Sequence, residues 1–207
     1  CADLPLDSLV CARHLPVMDT QSFEVAVVGG GMVGLSLALG LAGAGVPVAL
    51  IERATLADMA AASFDGRGSA VAAGSQRILD GLGLWDAVAD EAEPILEIRV
   101  ADGASPLFLH YDHAEIGDGP LGWIVENAVT RRALAAAAGN SSLRVYDGTE
   151  LAQCRFGEDA AVLDLADGQQ ITARLVVAAD GRDSPLRDAA GIDAVRWRYP
   201  QTGIVCA

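Results

Sequence analysis

Gly29, Gly31 and Gly34 stand in the spacing G-x-G-x-x-G, and Glu52 follows eighteen residues after the last of them. The chemistry these residue types offer is the cradling of a dinucleotide. Gly29 allows a tight turn, Gly31 lets the backbone approach a pyrophosphate, and Gly34 lets a helix pack against a strand. A helix that begins at such a loop turns unpaired N–H groups and a partial positive charge toward the phosphates. Glu52 brings a carboxylate able to accept hydrogen bonds from the hydroxyls of an adenosine ribose. The plain alternative is a glycine-rich turn of an α/β protein with no ligand. Arg53, beside Glu52, hints at a ribose 2′-phosphate and hence NADP, against its plainer reading as a surface arginine.

The loop works only between a strand and a helix. Val25 to Ile51 holds no charged residue, which raises a membrane-spanning reading. A single helix over that run would reach about 40 Å, against a hydrocarbon core of about 30 Å. Its glycines, moreover, punctuate rather than scatter. Phe23–Val28 is a β-branched run, Gly29–Gly31 breaks it, and Met32–Ala44 is a Leu- and Ala-rich helix that Gly45 ends. Val46–Ile51 is then a second buried strand, so the reading is β-α-β.

Beyond Glu52 the chain reads as an Ala-rich loop with a short helix up to Gly68, then two helices, Ala70–Leu82 and Leu84–Ala89. Pro94 marks a boundary. Ile95–Tyr111 alternates like a β-hairpin, Gly122–Val125 like a strand, and Asn127–Ala138 like a helix. From Leu143 to Leu175, turns at Asp147-Gly148, Gly157 and Asp167-Gly168 predict an antiparallel meander. Leu175–Ala178 is again an apolar strand. Residues 1–17 show no periodicity and no signal-peptide pattern, and Met18 reads as a natural start. The closing residues 202–207 read as a strand that stops without a turn, so the chain is expected to be a fragment.

Of 207 residues, 52% are hydrophobic and 20% charged, enough apolar material for a packed core. The net charge of −14 argues against a nucleic-acid partner, which needs clustered basic residues, and gives no support to docking on anionic lipid. Cys1, Cys11, Cys154 and Cys206 form no C-x-x-C pair, which points to reduced thiols in a cytosolic setting. His14, His110 and His113 read as incidental; His110 and His113 would need Asp112 or Glu115 to make a metal site, and none is assigned.

Two further motifs decide which dinucleotide is expected. One is Asp65-Gly66-Arg67-Gly68-Ser69-Ala70, followed by Leu82-Gly83-Leu84-Trp85. The other is Val176-Val177-Ala178-Ala179-Asp180-Gly181-Arg182-Asp183-Ser184-Pro185. With the glycine loop, with L-G-W-I-V-E-N from Leu121 and with Y-P-Q-T-G-I-V-C from Tyr199, these resemble the FAD-dependent aromatic hydroxylases related to p-hydroxybenzoate hydroxylase. The likeness is nearest to the hydroxylases of ubiquinone biosynthesis, and it runs from about Ser22 to Ala207.

The resemblance implies an α/β fold. It comprises a Rossmann-like FAD-binding domain of the glutathione-reductase type with an inserted antiparallel meander, plus part of a β-sheet substrate domain. The expected division is an extension over 1–21, FAD-binding domain over 22–94 and 126–191, substrate-domain strands over 95–125, and the start of a truncated substrate domain over 192–207. By resemblance Gly29, Gly31, Gly34 and Glu52, with Arg53 beside it, hold the ADP half of FAD. Arg67 reaches the ribose or pyrophosphate, Asn127 touches the cofactor, and Asp180 and Gly181 sit near the pyrophosphate and the nicotinamide approach. Arg182 and Asp183 read as surface charge. The family's second, Gly-Asp motif is not found after Asp180.

The implied reaction is ring hydroxylation by a flavin monooxygenase using NAD(P)H as co-substrate and oxygen. It requires no metal and no protein nucleophile, and no catalytic base stands out. The implied substrate is a small aromatic compound, a polyprenylated phenol in the nearest case, with Leu107, Phe108, Leu109, Trp123 and Ile124 as candidate wall residues or plain sheet core. A cytoplasmic location, peripheral at the inner face of the membrane or in a biosynthetic complex, goes with such a substrate. Another flavoenzyme on this fold is the first alternative; a halogenase would need a lysine-bearing, Trp-rich motif that is not seen. A non-catalytic protein on the same scaffold, like the GDP-dissociation inhibitors, would not be expected to keep Glu52, Arg67 and Asp180 together.

Overall fold

The computed structural model describes residues 21–103 and 105–202. The expected extension, with Cys1, Cys11, His14 and Met18, lies outside the described residues except for Gln21, and so do 203–207 with Cys206.

The glycine punctuation produces the β-α-β unit the sequence predicts. Strand β1 (Gln21–Val28) leads through the glycine loop into helix α1 (Met32–Gly43), and strand β2 (Val48–Glu52) returns parallel to β1, pairing Val25 with Val48 and Val28 with Ile51. Val25, Ala26, Val27 and Val28 are all buried, as expected of a strand covered on both faces. On one face Val25, Val27, Val48 and Leu50 pack with Leu35, Ala38 and Leu39 of α1 and with Leu134, Ala135 and Ala138 of a later helix. On the other face Ala26, Val28, Ala49 and Ile51 pack with Tyr146, Leu163, Ile171 and Leu186.

After β2 come helix α2 (Leu56–Ala60), strand β3 (Gly68–Ala72), helix α3 (Ala73–Gly81) and helix α4 (Asp86–Ala89). Strand β4 (Ala92–Ile95), the hairpin β5 (Glu97–Ala101) and β6 (Phe108–Asp112), strand β7 (Gly122–Glu126) and helix α5 (Asn127–Gly139) follow. The chain then forms β8 (Arg144–Asp147), β9 (Leu151–Phe156), β10 (Ala161–Leu165), β11 (Gln170–Ala178) and the short helix α6 (Pro185–Ala189). The main sheet runs β8-β2-β1-β11-β10-β9, with β3-β7-β4 as a second sheet and β5-β6 as a separate ribbon.

Four readings of the sequence need correction. Residues 70–72 are not helical; they belong to β3, which pairs antiparallel with β7, and α3 begins only at Ala73. The second expected helix, from Leu84, shortens to α4. Alanine favours a helix only weakly, and tertiary pairing overrides the preference. Pro94 is no boundary: it lies within β4, opposite Trp123, on an edge strand where a missing N–H is tolerated. The meander is narrower than its turns suggest, because β8 pairs parallel with β2. The antiparallel part is β9-β10-β11, and β11 is one strand rather than two, pairing with β10 over Gln170–Ala173 and with β1 from Ile171 to Ala178.

Among the described residues, no helix is long and apolar enough to cross a membrane, and no three His, Cys, Asp or Glu side chains are grouped to hold a metal ion.

Candidate functional site

The carboxyl ends of β1, β2 and β11 lie side by side, and the glycine loop closes over them. Gly29 has φ +104°, in the region that favours glycine, and its N–H donates to Ile51 O at 2.9 Å. A Cβ there would stand 2.3 Å from the carbonyl oxygen of Ala179 and 2.8 Å from the nitrogen of Asp180. The downstream Asp-Gly motif is therefore packed directly on the first glycine, although they are far apart in sequence. Ala179 N donates to Val28 O at 2.8 Å and fixes that register.

Gly31 begins α1, and no atom lies within 4 Å of the place a Cβ would take. The first intrahelical bond runs from Leu35 N to Gly31 O at 2.9 Å, no side chain caps this end, and no acidic residue stands in the first turn. The leading N–H groups thus lack intrahelical acceptors, and the space beside the Gly31 Cα is open among the described residues, an arrangement suited to a phosphate.

Glu52 is half-buried at the end of β2. Its Oε2 accepts from Gly30 N at 2.5 Å and its Oε1 from Ala54 N at 2.9 Å. It ties down the glycine loop, a role the spacing alone does not reveal. Arg53 beside it is exposed. Asp180 accepts from Leu186 N at 3.1 Å through Oδ2, while its buried Oδ1 has no partner. Gly181 follows, exposed, at φ +92°.

Arg67 and Asn127 form a second group, held by hydrogen bonds separate from those of the glycine loop. Arg67 Nη2 donates to Asp65 Oδ2 at 2.7 Å, Asn127 N donates to Arg67 O at 3.0 Å, and Ser69 Oγ donates to Asn127 Oδ1 at 2.6 Å. Hydrogen bonding to the Arg67 side chain, with help from Arg131, pulls the Asp65 carboxyl down to about 2. Asp65 and Ser69 stand in the motif read from the sequence, but only Arg67 was given a role there, and Arg131 was missed altogether. For Arg131 a signal existed: it stands four residues after Asn127, on the same helix face.

The candidate wall residues do not form one wall. Trp123 packs edge-on against Trp85, with ring centroids 5.0 Å apart, while its neighbour Ile124 is exposed. Leu107, Phe108 and Leu109 are exposed at the start of β6, with Phe108 opposite Ala101 and Leu109 opposite Val100. Trp123 is thus sheet core, packed against the cluster of Val88, Val125 and Val129, whereas the other four are exposed and form no closed tunnel.

A glycine loop at the carboxyl ends of parallel strands, with a bare helix N-terminus and an acidic residue ending the second strand, defines a dinucleotide-binding α/β protein. Residues 22–200 match the family described as FAD binding domain, and the chain belongs to that family. It is similar to ubiquinone hydroxylase UbiL of Rhodospirillum rubrum, 46% identical over 88% of this chain and 42% of that protein. It is also similar to 3-demethoxyubiquinol 3-hydroxylase of Escherichia coli, 41% identical over 89% of this chain and 48% of that one. The chain thus spans about half the length of the curated relatives it matches. Among solved structures, p-nitrophenol 4-monooxygenase PnpA from Pseudomonas putida DLL-E4 shares the fold. Its TM-score is 0.69 at 24% identity, over 83% of this chain and 44% of that one.

FAD is the cofactor of this family, and the site suits it. The open space beside Gly31 fits close approach of a phosphate to the backbone, and among the described residues Asp180 Oδ1 and the buried Arg131 Nε are polar groups without a partner.

Proposed function

We propose that the chain is the FAD-binding part of a monooxygenase that hydroxylates an aromatic ring with NAD(P)H and oxygen, the substrate being a polyprenylated phenol of ubiquinone biosynthesis. The observation that carries this is the junction of Gly29, Gly34, Ala179 and Asp180, joined to Glu52 through Gly30. It unites the dinucleotide motif with the downstream Asp-Gly motif, and the relatives with the highest identity quoted above are named as ubiquinone-pathway hydroxylases.

The chemistry FAD supplies when bound is redox, the passage of electrons from NAD(P)H to oxygen. The residues of this chain bind and orient. The N-terminus of α1 would meet the pyrophosphate, Glu52 would accept from the adenosine ribose, and Arg67, just before β3, and Asn127, at the start of α5, would approach the cofactor. Asp180 and Gly181 border the nicotinamide approach, and Arg53 is the residue to test for NADPH over NADH. The exposed apolar residues Leu107, Phe108 and Leu109 offer contact area for a prenyl tail. A substrate of that kind partitions into lipid, which supports a peripheral site of action for a cytoplasmic enzyme at the inner face of the membrane.

Full-length protein is expected to purify yellow, with flavin absorbance, and to oxidise NAD(P)H when given ubiquinone precursors, yielding a product heavier by one oxygen. Colourless protein that takes up no FAD defeats the proposal.

A further inference from the structure

The segment Ala62–Arg67, between α2 and β3, is largely exposed, yet it carries Arg67. Among the described residues it is tied to the rest of the chain from α5, by Asn127 N to Arg67 O at 3.0 Å and by Arg131 Nη2 to Asp65 Oδ2 at 3.1 Å. Helix α5 is a firm base, because Ala128, Val129, Leu134, Ala135 and Ala138 are all buried. Asn127 gives the backbone N–H that opens α5, and Arg131, one turn further on, gives its side chain.

Asp65 is shared. Its Oδ2 also accepts from Arg67 Nη2 and Nε, and its Oδ1 accepts from Arg67 N at 3.1 Å. Two guanidiniums on one carboxylate leave a formal surplus of one positive charge at this spot, in a chain of net charge −14. A local positive excess is what an anionic pyrophosphate requires. The sharing also keeps the segment tied: if Arg67 turns from Asp65 to a phosphate, Asp65 keeps its bond from Arg131 on α5. Exposed ion pairs add little to stability, so the value of this one is geometric.

We propose that Arg131 is a positioning residue for FAD, holding Asp65 and the Ala62–Arg67 segment against α5 so that Arg67 is free to engage the pyrophosphate. This rests on the FAD-site reading above and assigns Arg131 and Asp65 roles within it.

The test uses full-length protein, FAD titration followed by flavin-fluorescence quenching, and amide hydrogen exchange of residues 62–67. Arg131→Gln is expected to weaken FAD binding about tenfold, as loss of a charge-assisted bond would, and to speed exchange in the segment. Arg131→Lys, able to make the single bond that Nη2 makes, should recover most of the affinity. Asp65→Asn combined with Arg131→Gln should cost no more than the worse single change, since both cut one link. Native affinity or native exchange in Arg131→Gln overturns the inference. So does a loss that Arg131→Lys fails to restore, or full additivity of the two changes. A wild-type protein that does not bind FAD overturns the reading of the whole site, whereas binding that ignores Arg131 overturns this inference alone.

Discussion

The Cα of Gly34 faces the carbonyl oxygen of Gly29 so closely that a Cβ on Gly34 would stand 1.9 Å from it and 3.1 Å from Ala179 Cβ. With the equally tight approach of Gly29 to Ala179, this brings helix α1, strand β1 and the end of β11 together through two bare Cα atoms. The first motif and the Asp180 motif are therefore halves of one packed junction, while the place of a Cβ at Gly31 is left open.

This separates two substitutions that look alike in sequence. Gly34→Ala drives a methyl group into backbone, and overpacking of that kind costs about 3 kcal/mol or more. Its urea midpoint should fall steeply, with FAD binding lost. Gly31→Ala meets no atom within 4 Å and has φ −62°, so stability should fall by no more than about 1 kcal/mol, the cost of alanine at a helix N-cap. FAD affinity should still drop, because the methyl occupies the approach of the pyrophosphate. Equal behaviour of the two variants in both measurements would contradict the geometry.

The Asp65 cluster sets a pH dependence. Asp65 is lowered from 3.8 to about 2, first by the Arg67 side chain, then with help from Arg131 and the Arg67 backbone. A carboxyl depressed in the folded state gives stability that is whole above its unfolded value and disappears as pH falls through its folded value. The Asp65–Arg67–Arg131 pairing should therefore be intact above about pH 4 and dissolve between about pH 4 and 2. A carbon-13 titration of the Asp65 carboxyl should show its midpoint near 2, moving up in Arg67→Gln and less in Arg131→Gln. A wild-type midpoint at 3.8 would mean that the pairing does not form.

The first β-α-β unit was legible because glycine, helix-forming leucines and an acidic strand end say the same thing at successive positions. β3 was not, since Gly68-Ser69-Ala70-Val71-Ala72 lacks the branched bulk of a strand and only its pairing with β7 makes it one. β8 hid its partner for another reason: Arg144–Asp147 joins β2, from the opposite end of the chain's core, and no local pattern encodes a parallel neighbour. Arg174 concealed the length of β11 by interrupting an apolar run at an exposed position. In the site, the glycine loop and Glu52 followed from spacing and Arg67, Asn127 and Asp180 from resemblance, whereas the tie between Asp65 and Arg131, 66 residues apart, had no local signal.

The main sheet's core gives a third expectation. Leu50 is fully buried between β1 and the α1–α5 layer, so Leu50→Ala removes packed volume that its neighbours cannot refill. A loss of about 2–5 kcal/mol in urea unfolding is expected. Val33, on α1 but 78% exposed, should tolerate alanine within about 0.5 kcal/mol. If both variants lost stability equally, the assignment of the buried face of α1 would be wrong.

Glu52 makes the sharpest test of the cofactor site, because both its oxygens accept from backbone N–H groups, of Gly30 and of Ala54. Glu52→Gln keeps the shape but has one acceptor oxygen, so its amide group must face one of those N–H donors. Leaving such a donor unsatisfied costs about 1–3 kcal/mol, toward the low end here because the residue is only half-buried. FAD affinity should fall by more than that cost alone predicts, since the substitution loosens the loop at Gly30 and removes a charged acceptor from the ribose. The comparison needs urea unfolding and FAD titration on the same variant. A Glu52→Gln protein of lowered stability but unchanged FAD affinity would restrict Glu52 to its tie on the loop and remove it from the ribose.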